Sequence, residues 1–414
     1  MTPAPDPKLT LADLLAPLPV SDFLARHWQQ RHYHALGATR LTEKLLGILG
    51  SFDVGHLLTL SNQISVFGHV AGRTDRRESV TVAEALALYD RDYTLYISLA
   101  GAAPLNELGA SVARETGIST VSSGCSVFAS RTSGGLKTHF DKNENFTVQL
   151  VGSKVWTLWP NTAVDKPIHS YRRDEPLVDP DSGMYIDARA RFADLGPGED
   201  VEMSPGAILY HPRGSWHATR AASESISLNI CLEPITWYDV FLGVASARLT
   251  SSAKLRTIVP ALETPKDLEE HARHAGAMVG AAQKALAELT VEDVAEACLA
   301  PPGLDADLRV MASRCKARIT ETSRMRRNSL AALDVVHANG ETSIHIVLFL
   351  GRMTRHLTLR APAELGPACE LVAGPDWEWT PRKLAGGDLR ESDLVEIARA
   401  LCAVGAMRVV SGKR

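Results

Sequence analysis

No stretch of this chain approaches the roughly 18 consecutive apolar residues that a membrane-spanning helix needs. The opening Met1 to Lys8, with prolines at 3, 5 and 7, has no apolar core of a secretory leader, so a cytoplasmic protein with no membrane partner is expected. Cysteine is scarce and scattered. The six residues Cys125, Cys231, Cys298, Cys315, Cys369 and Cys402 form no CxxC pair, which excludes a thiolate zinc site and a disulfide framework and leaves reduced thiols. A dominant charge is also missing. With 44 Lys and Arg against 48 Asp and Glu, the net charge of −4 argues against a non-specific grip on nucleic acid by the whole chain. Residues 301–414 differ, with 17 basic against 13 acidic residues and Arg309, Arg314, Lys316, Arg318, Arg324, Arg326 and Arg327 close together. That cluster reads either as a solvated face or as a surface for an acidic partner.

A length of 414 residues with 45% apolar and 22% charged residues suits a globular chain of two or three domains with a large core. Its most informative stretch runs from Lys137 to Trp156. His139 and Asp141 stand two residues apart, a spacing that on a strand puts an imidazole and a carboxylate on one face. A second histidine arriving from a distant strand would complete a facial triad with three open coordination positions, the usual grip on non-haem Fe(II) that activates oxygen. His217, at the end of Tyr210 to His217, is the candidate, and His211 competes with it. A His-x-Asp pair alone is a weak signal in a chain with 14 histidines. Its surroundings strengthen it. Asn145, Thr147 and Gln149 alternate with Phe146, Val148 and Leu150, which predicts a half-buried strand with one polar face. Gly152 and Ser153 turn the chain, and Lys154 opens the next strand, either as a solvated turn lysine or reaching back into a barrel.

In this order His139, Asp141, Lys154 and His217, with Gly152, Trp156 and the Pro212 to Trp216 run, resemble the JmjC branch of the cupin-fold 2-oxoglutarate oxygenases. The resemblance implies that His139, Asp141 and His217 bind Fe(II) as the catalytic metal centre. It favours His217 over His211, because the family's ligand follows the tryptophan. It also implies that Lys154 binds the distal carboxylate of 2-oxoglutarate, a role that suits a buried lysine, which needs an anionic partner. Around the metal site, Thr138 to Asp141 followed by Asn145, with Asn229 on a later strand, is similar to the asparaginyl hydroxylases that act on hypoxia-inducible factor. Asn145 and Asn229 would then hydrogen-bond 2-oxoglutarate or bound oxygen. The layout as a whole, with Asp22 to Trp28 near the start, resembles the ribosomal oxygenases. One departure stands out. The hydroxyl residues that help hold 2-oxoglutarate in relatives have no match, since Val127 and Leu136 occupy the aligned places.

The expected architecture is a mainly β double-stranded β-helix (cupin/JmjC) core with N-terminal helices over residues 1–235, an α-helical and possibly dimerising domain over 236–302, and a winged-helix-like α+β domain over 303–414. Residues 9–34 predict two short helices split by Pro17 and Pro19, with Ser21 or Asp22 capping the second. Strands are expected at 64–70, 93–99, 125–130, 207–210, 216–220 and 225–232, the last with Ser225, Ser227, Asn229 and Cys231 inward. Residues 160–200 are rich in Pro, Asp, Arg and Gly and are expected to shape the substrate entrance. Beyond Pro234, apolar spacing predicts helices at 237–250, 265–289 and 291–299.

The functional expectation is an Fe(II)- and 2-oxoglutarate-dependent dioxygenase that hydroxylates an amino-acid side chain in a protein or peptide, either a ribosomal protein or a natural-product precursor. Alternatives are hydroxylation of a free amino acid or other small molecule, a non-catalytic cupin that binds or regulates, and a cupin isomerase or dioxygenase without 2-oxoglutarate. A homodimer through the helical domain is expected, and nucleic acid would be met only through a ribosomal substrate.

Overall fold

The computed structural model describes residues 9–36, 39–61, 63–70, 73–99, 102–118, 120–173, 185–186, 190, 194–259, 267–287, 289–291, 294, 304–328, 330–338, 340–350, 353–374, 378–387 and 389–410. The chain divides into two compact units, Met1–Pro234 and Ile235–Arg414.

The first unit holds strands β1 (Tyr33–Ala35), β2 (Gln63–Val70), β3 (Arg73–Arg77), β4 (Thr94–Ser98), β5 (Thr120–Ser130), β6 (His139–Phe140), β7 (Glu144–Val151), β8 (Lys154–Trp159), β9 (Tyr171–Arg172), β10 (Glu199–Met203), β11 (Ile208–His211), β12 (Trp216–Ala221) and β13 (Ser225–Pro234). They form an eight-stranded sheet in the order β1-β11-β7-β13-β5-β4-β2-β3 and a five-stranded sheet in the order β10-β8-β12-β6-β9. From β5 onward the chain steps repeatedly between the two sheets, with β5, β7, β11 and β13 in the larger and β6, β8, β10 and β12 in the smaller. This alternation is the antiparallel double winding of a cupin-type barrel.

One sequence expectation changes here. Strand β7 is buried on both faces, because Asn145, Thr147 and Gln149 are as inaccessible as Phe146 and Val148. Its polar face turns into the barrel rather than toward solvent, since β11 and β13 flank it on either side. The turn to β8 depends on Gly152, at φ +63°, where a Cβ would stand 1.8 Å from the Glu224 carbonyl oxygen. Strand β8 then alternates, with Lys154, Trp156 and Leu158 buried and the residues between them half-buried.

The N-terminal helices are α1 (Leu11–Leu15), closed by a capping box between Thr10 and Asp13, and α2 (Val20–Arg26). The cap of α2 is Pro19, with no side-chain hydrogen bond, so neither Ser21 nor Asp22 caps it; Asp22 lies inside the first turn, where a carboxylate favours the helix dipole. Helices α3 (Thr39–Leu49), α4 (Val54–Thr59), α5 (Val82–Tyr89) and α6 (Ala103–Thr116) complete the unit. Phe23 of α2 locks the N-terminus to the back of the larger sheet, its ring centroid 4.9 Å from that of Tyr210 and 5.8 Å from that of Phe146. Tyr210 in turn donates from its hydroxyl to the buried Glu144 carboxylate at 2.7 Å and accepts from the Gln29 amide at 2.9 Å.

The second unit opens with α7 (Trp237–Ser251) and α8 (Asp267–Ala287). The expected helix 291–299 falls mostly outside the described residues. Strands β14 (Leu304–Asp307), β16 (Ala331–Ala338), β17 (Glu341–Leu350) and β18 (Met353–Ala361) form a sheet in the order β14-β18-β17-β16, with β14 parallel to β18. Strands β15 (Met325–Arg327), β19 (Glu378–Trp379) and β20 (Met407–Val409) form a second, small sheet. Helices α9 (Leu308–Arg314), α10 (Gly366–Ala373), α11 (Pro381–Leu384) and α12 (Glu391–Ala403) pack with these sheets around one core, which includes Leu308, Ile346, Leu394 and Leu401. The basic cluster is largely paired within this unit. Arg309 meets Glu364 and Glu396, and Arg324 and Arg326 both meet Glu378. Arg327 donates to the backbone oxygens of Val372 and Gly374. Among the described residues no helix is long and apolar enough to cross a membrane.

Phe23 is fully buried at the seam between α2 and the larger sheet. Phe23→Ala is expected to lower stability by about 3–5 kcal/mol, read as an earlier first transition in urea followed by tryptophan fluorescence.

Candidate metal centre

Strand pairing assembles the centre. His217 on β12 lies directly opposite His139 on β6. Residues opposite each other in antiparallel strands project from the same face, and the two ring centroids are 4.1 Å apart. Asp141 follows β6 immediately. One ligand atom from each of His139, Asp141 and His217 lies within 4.8 Å of the others, an arrangement able to hold a metal ion. Both imidazoles are buried. Each points one nitrogen at a backbone carbonyl: His139 Nδ1 donates to Lys137 O at 2.7 Å, and His217 Nδ1 donates to Ser215 O at 2.9 Å. Those bonds fix the tautomer and leave both Nε2 lone pairs for a metal. Burial holds the pKa of each below the ordinary histidine value, with the charge of Arg172 acting in the same direction, so both rings stay neutral and able to ligate.

A hydrogen-bond chain steadies the carboxylate. Asn145 Nδ2 donates to Asp141 Oδ2 at 3.4 Å, Asn229 Nδ2 donates to Asn145 Oδ1 at 3.4 Å, and Thr147 Oγ1 donates to Asn229 Oδ1 at 3.2 Å. The two asparagines expected near the site are therefore brought together beside the aspartate. His211 lies close as well, 4.5 Å from the His217 ring between centroids, but outside the three-residue cluster.

Two compartments share the centre as a common wall. The inner one, about 430 Å³ including space open to solvent, is lined by His139, Asp141 and His217 together with Lys154, Thr94, Thr219 and Ser227. Lys154 is buried, and its one hydrogen bond among the described residues is a long one to Ser227 Oγ at 3.5 Å. No carboxylate forms an ion pair with it among those residues, and burial pushes its pKa down to about 8. A buried ammonium held this way is poised for an anion. Val127 is core, while Thr94 of β4 and Thr219 of β12 face the cavity beside Leu136. Neither threonine carries a local sequence signal, because only the pairing of β4 with β5 and of β12 with β8 sets their strands around the cavity that Lys154 lines. The outer compartment, about 1020 Å³ on the same measure, shares His139, Asp141, Asn145 and Asn229 and adds Phe67, Arg76, Tyr96, Ser170 and Arg172. Ser170 and Arg172 belong to the 160–200 segment, which thus builds part of this wall.

Residues 110–240, which contain every residue of the metal cluster, match the JmjC domain family. Over that stretch, which holds the barrel strands β6–β13 and the His-Asp-His cluster, the chain is similar to JmjC domains. Among curated proteins it is similar to the uncharacterized protein YxbC of Bacillus subtilis (strain 168), 29% identical over 261 residues that span 60% of this chain and 78% of the relative. It is also similar to ribosomal oxygenase 2 of Rattus norvegicus, 31% identical over 147 residues that span 32% of this chain but only 28% of that protein. Among solved structures, the ribosomal oxygenase YcfD of Escherichia coli in complex with cobalt and 2-oxoglutarate aligns over 95% of this chain and 98% of its own, at 16% identity and a TM-score of 0.40.

Asn145 is placed to orient Asp141 rather than to complete the cluster. Asn145→Ala is expected to weaken Co(II) binding by about tenfold to a hundredfold, with the bound ion's visible bands retained at saturation, as a spectrophotometric titration would record.

Proposed function

We propose that this protein is an Fe(II)- and 2-oxoglutarate-dependent oxygenase that hydroxylates an amino-acid side chain of a protein or peptide. The observation that carries the reading is the pairing of a His-Asp-His cluster with a buried lysine that, among the described residues, has no acidic partner, both lining one cavity. The residues fit the groups they would hold. His139, Asp141 and His217 offer two neutral nitrogens and one carboxylate, the facial set that suits Fe(II) and leaves positions for other ligands. Lys154 offers the charge that a distal carboxylate needs, with the hydroxyls of Thr94, Thr219 and Ser227 around it. When bound, Fe(II) and 2-oxoglutarate supply the oxidising power, by activation of O₂ coupled to decarboxylation of 2-oxoglutarate to succinate.

The chain's own part is to hold and exclude. The Lys137 and Ser215 carbonyls aim the imidazoles. Asn145 orients Asp141, with Asn229 behind it. Phe128, Leu136 and Trp156 give the inner compartment apolar walls that keep bulk water from the reacting centre. The outer compartment is open enough for a side chain presented on a peptide. A ribosomal protein is the substrate suggested by the name of the rat relative; a peptide natural-product precursor fits the same opening. Hydroxylation of a free amino acid is the second reading, and a non-catalytic binding module the third. An isomerase without 2-oxoglutarate would leave Lys154 with no task. The proposal extends to a dimer through residues 236–302, supported by Trp237 and Phe241 of α7, which are 66% and 51% exposed, and to a winged-helix-like fold for residues 303–414.

Anaerobic addition of Fe(II) and 2-oxoglutarate should produce a visible metal-to-ligand charge-transfer band, absent in His139→Ala. If iron binds and no band forms, the 2-oxoglutarate reading is lost. Lys154→Ala should raise the Kd for 2-oxoglutarate by about 10–100-fold, the worth of a charge-assisted hydrogen bond, with iron affinity little changed. Lys154 is charged below a pKa of about 8 and neutral above it in the ligand-free protein. Affinity for 2-oxoglutarate should therefore be flat below about pH 8 and fall by up to roughly tenfold per unit above it, a slope that Lys154→Ala abolishes.

A further inference from the structure

Another buried imidazole stands beside the metal cluster without joining it. Cys231, Asn145 and His211 lie in one row, each directly opposite the next across β13, β7 and β11. Opposed residues share a face, so His211 faces the barrel interior with Asn145. It comes from the larger sheet, whereas His139 and His217 come from the smaller one. Its ring centroid is 4.5 Å from that of His217 and 5.5 Å from that of Trp156. It is 2% exposed. Among the described residues it lines the inner compartment with Lys154 and Asn145 and is not part of the outer wall.

The fold leaves part of this ring's hydrogen-bonding capacity unused. His139 and His217 each donate from Nδ1 to a backbone carbonyl. His211 Nδ1 is buried with no hydrogen-bond partner among the described residues, and the adjoining Pro212 backbone, although close enough to act on the ring, gives Nδ1 none. An imidazole carries at least one N–H in either protonation state, and a buried donor left unpaired bears its full desolvation cost. The neighbouring amides are engaged: Asn145 Nδ2 reaches Asp141 and Asn143, and Asn229 Nδ2 reaches Asn145. A 2-oxo acid chelates a metal through its keto oxygen and one carboxylate oxygen. The other carboxylate oxygen stays anionic and, in a buried place, needs a donor. With Lys154 given to the distal carboxylate, the ring beside His217 is the donor that remains for the near one.

We propose that His211 is a cosubstrate-binding residue that donates a hydrogen bond to the metal-chelating carboxylate of 2-oxoglutarate. The inference rests on the oxygenase reading, which assigns the inner compartment to 2-oxoglutarate. The test titrates two ligands into the full-length protein holding Fe(II) without oxygen, with the charge-transfer band as the readout. One is 2-oxoglutarate; the other is 2-oxobutyrate, which keeps the chelating end and lacks the distal carboxylate. His211→Leu and His211→Phe should each raise the Kd of both ligands by about tenfold or more, and His211→Gln should restore part of the loss. Lys154→Ala should weaken 2-oxoglutarate alone. Fe(II) affinity in the absence of a keto acid should change little in the His211 variants. An unchanged Kd in both His211→Leu and His211→Phe, a loss confined to 2-oxoglutarate, no band with 2-oxobutyrate, a loss that His211→Gln does not relieve, or a grip on Fe(II) weakened by about tenfold would overturn the inference while leaving the oxygenase reading standing. Trp156 Nε1 is the rival, a buried donor of the same wall that also lacks a partner among the described residues. A loss in Trp156→Phe as large as that in His211→Leu would overturn the inference as well. Iron bound to the wild type with no band from 2-oxoglutarate would remove the oxygenase reading and the inference with it.

Discussion

The pairing of two short strands carries the rest of this site. β6 is two residues long, yet it sets His139 opposite His217 and delivers Asp141 at its end. Three ligand atoms converge because antiparallel register leaves them little choice. The other features of the centre serve that register. Backbone carbonyls turn the imidazoles, and an asparagine pair steadies the carboxylate. Burial keeps the rings neutral. The barrel winding then places Lys154 in the wall of the cavity that the cluster also lines.

Much of this was legible in the sequence, and the reason is chemical. Few roles call for a histidine and an aspartate two apart, then a glycine turn, a lysine, and a second histidine after a tryptophan. The barrel strands 207–210, 216–220 and 225–232 could be placed from short apolar runs and, in the last, from alternating polar and apolar residues, and each forms within two residues of those bounds. Expectation failed where tertiary context outweighs pattern. Strand β7 reads as half-solvated, because nothing in a single strand distinguishes a wet polar face from one turned into a cavity. Thr94, Thr219 and Arg172 reach the site through pairings of distant strands, which local periodicity does not encode. Helices α3, α4 and α6 gave no motif and drew no expectation, although they contribute Leu45, Leu57 and Leu108 to the main core.

The second unit shows the limit of composition as a guide to partners. Its basic excess invites an acidic ligand, yet Arg309, Arg324 and Arg326 are met by glutamates of the same unit. Exposed ion pairs of this kind are worth little in stability, but they remove the free positive field that would attract a polyanion.

Strand β9 supports the metal-bearing strand. The 160–200 segment leaves the barrel after β8 and returns to pair with β6 through Tyr171 and Arg172. Without that return, the strand bearing His139 would be the border of its sheet, with one row of backbone groups unsupported. Tyr171 also packs on Phe140 and Trp216, neighbours of the two imidazoles in the chain. A segment rich in loop-forming residues would ordinarily be free to drift in length and composition over evolutionary time. Here that freedom should stop at two positions, and homologues that lengthen or shorten the insertion should do so on either side of them.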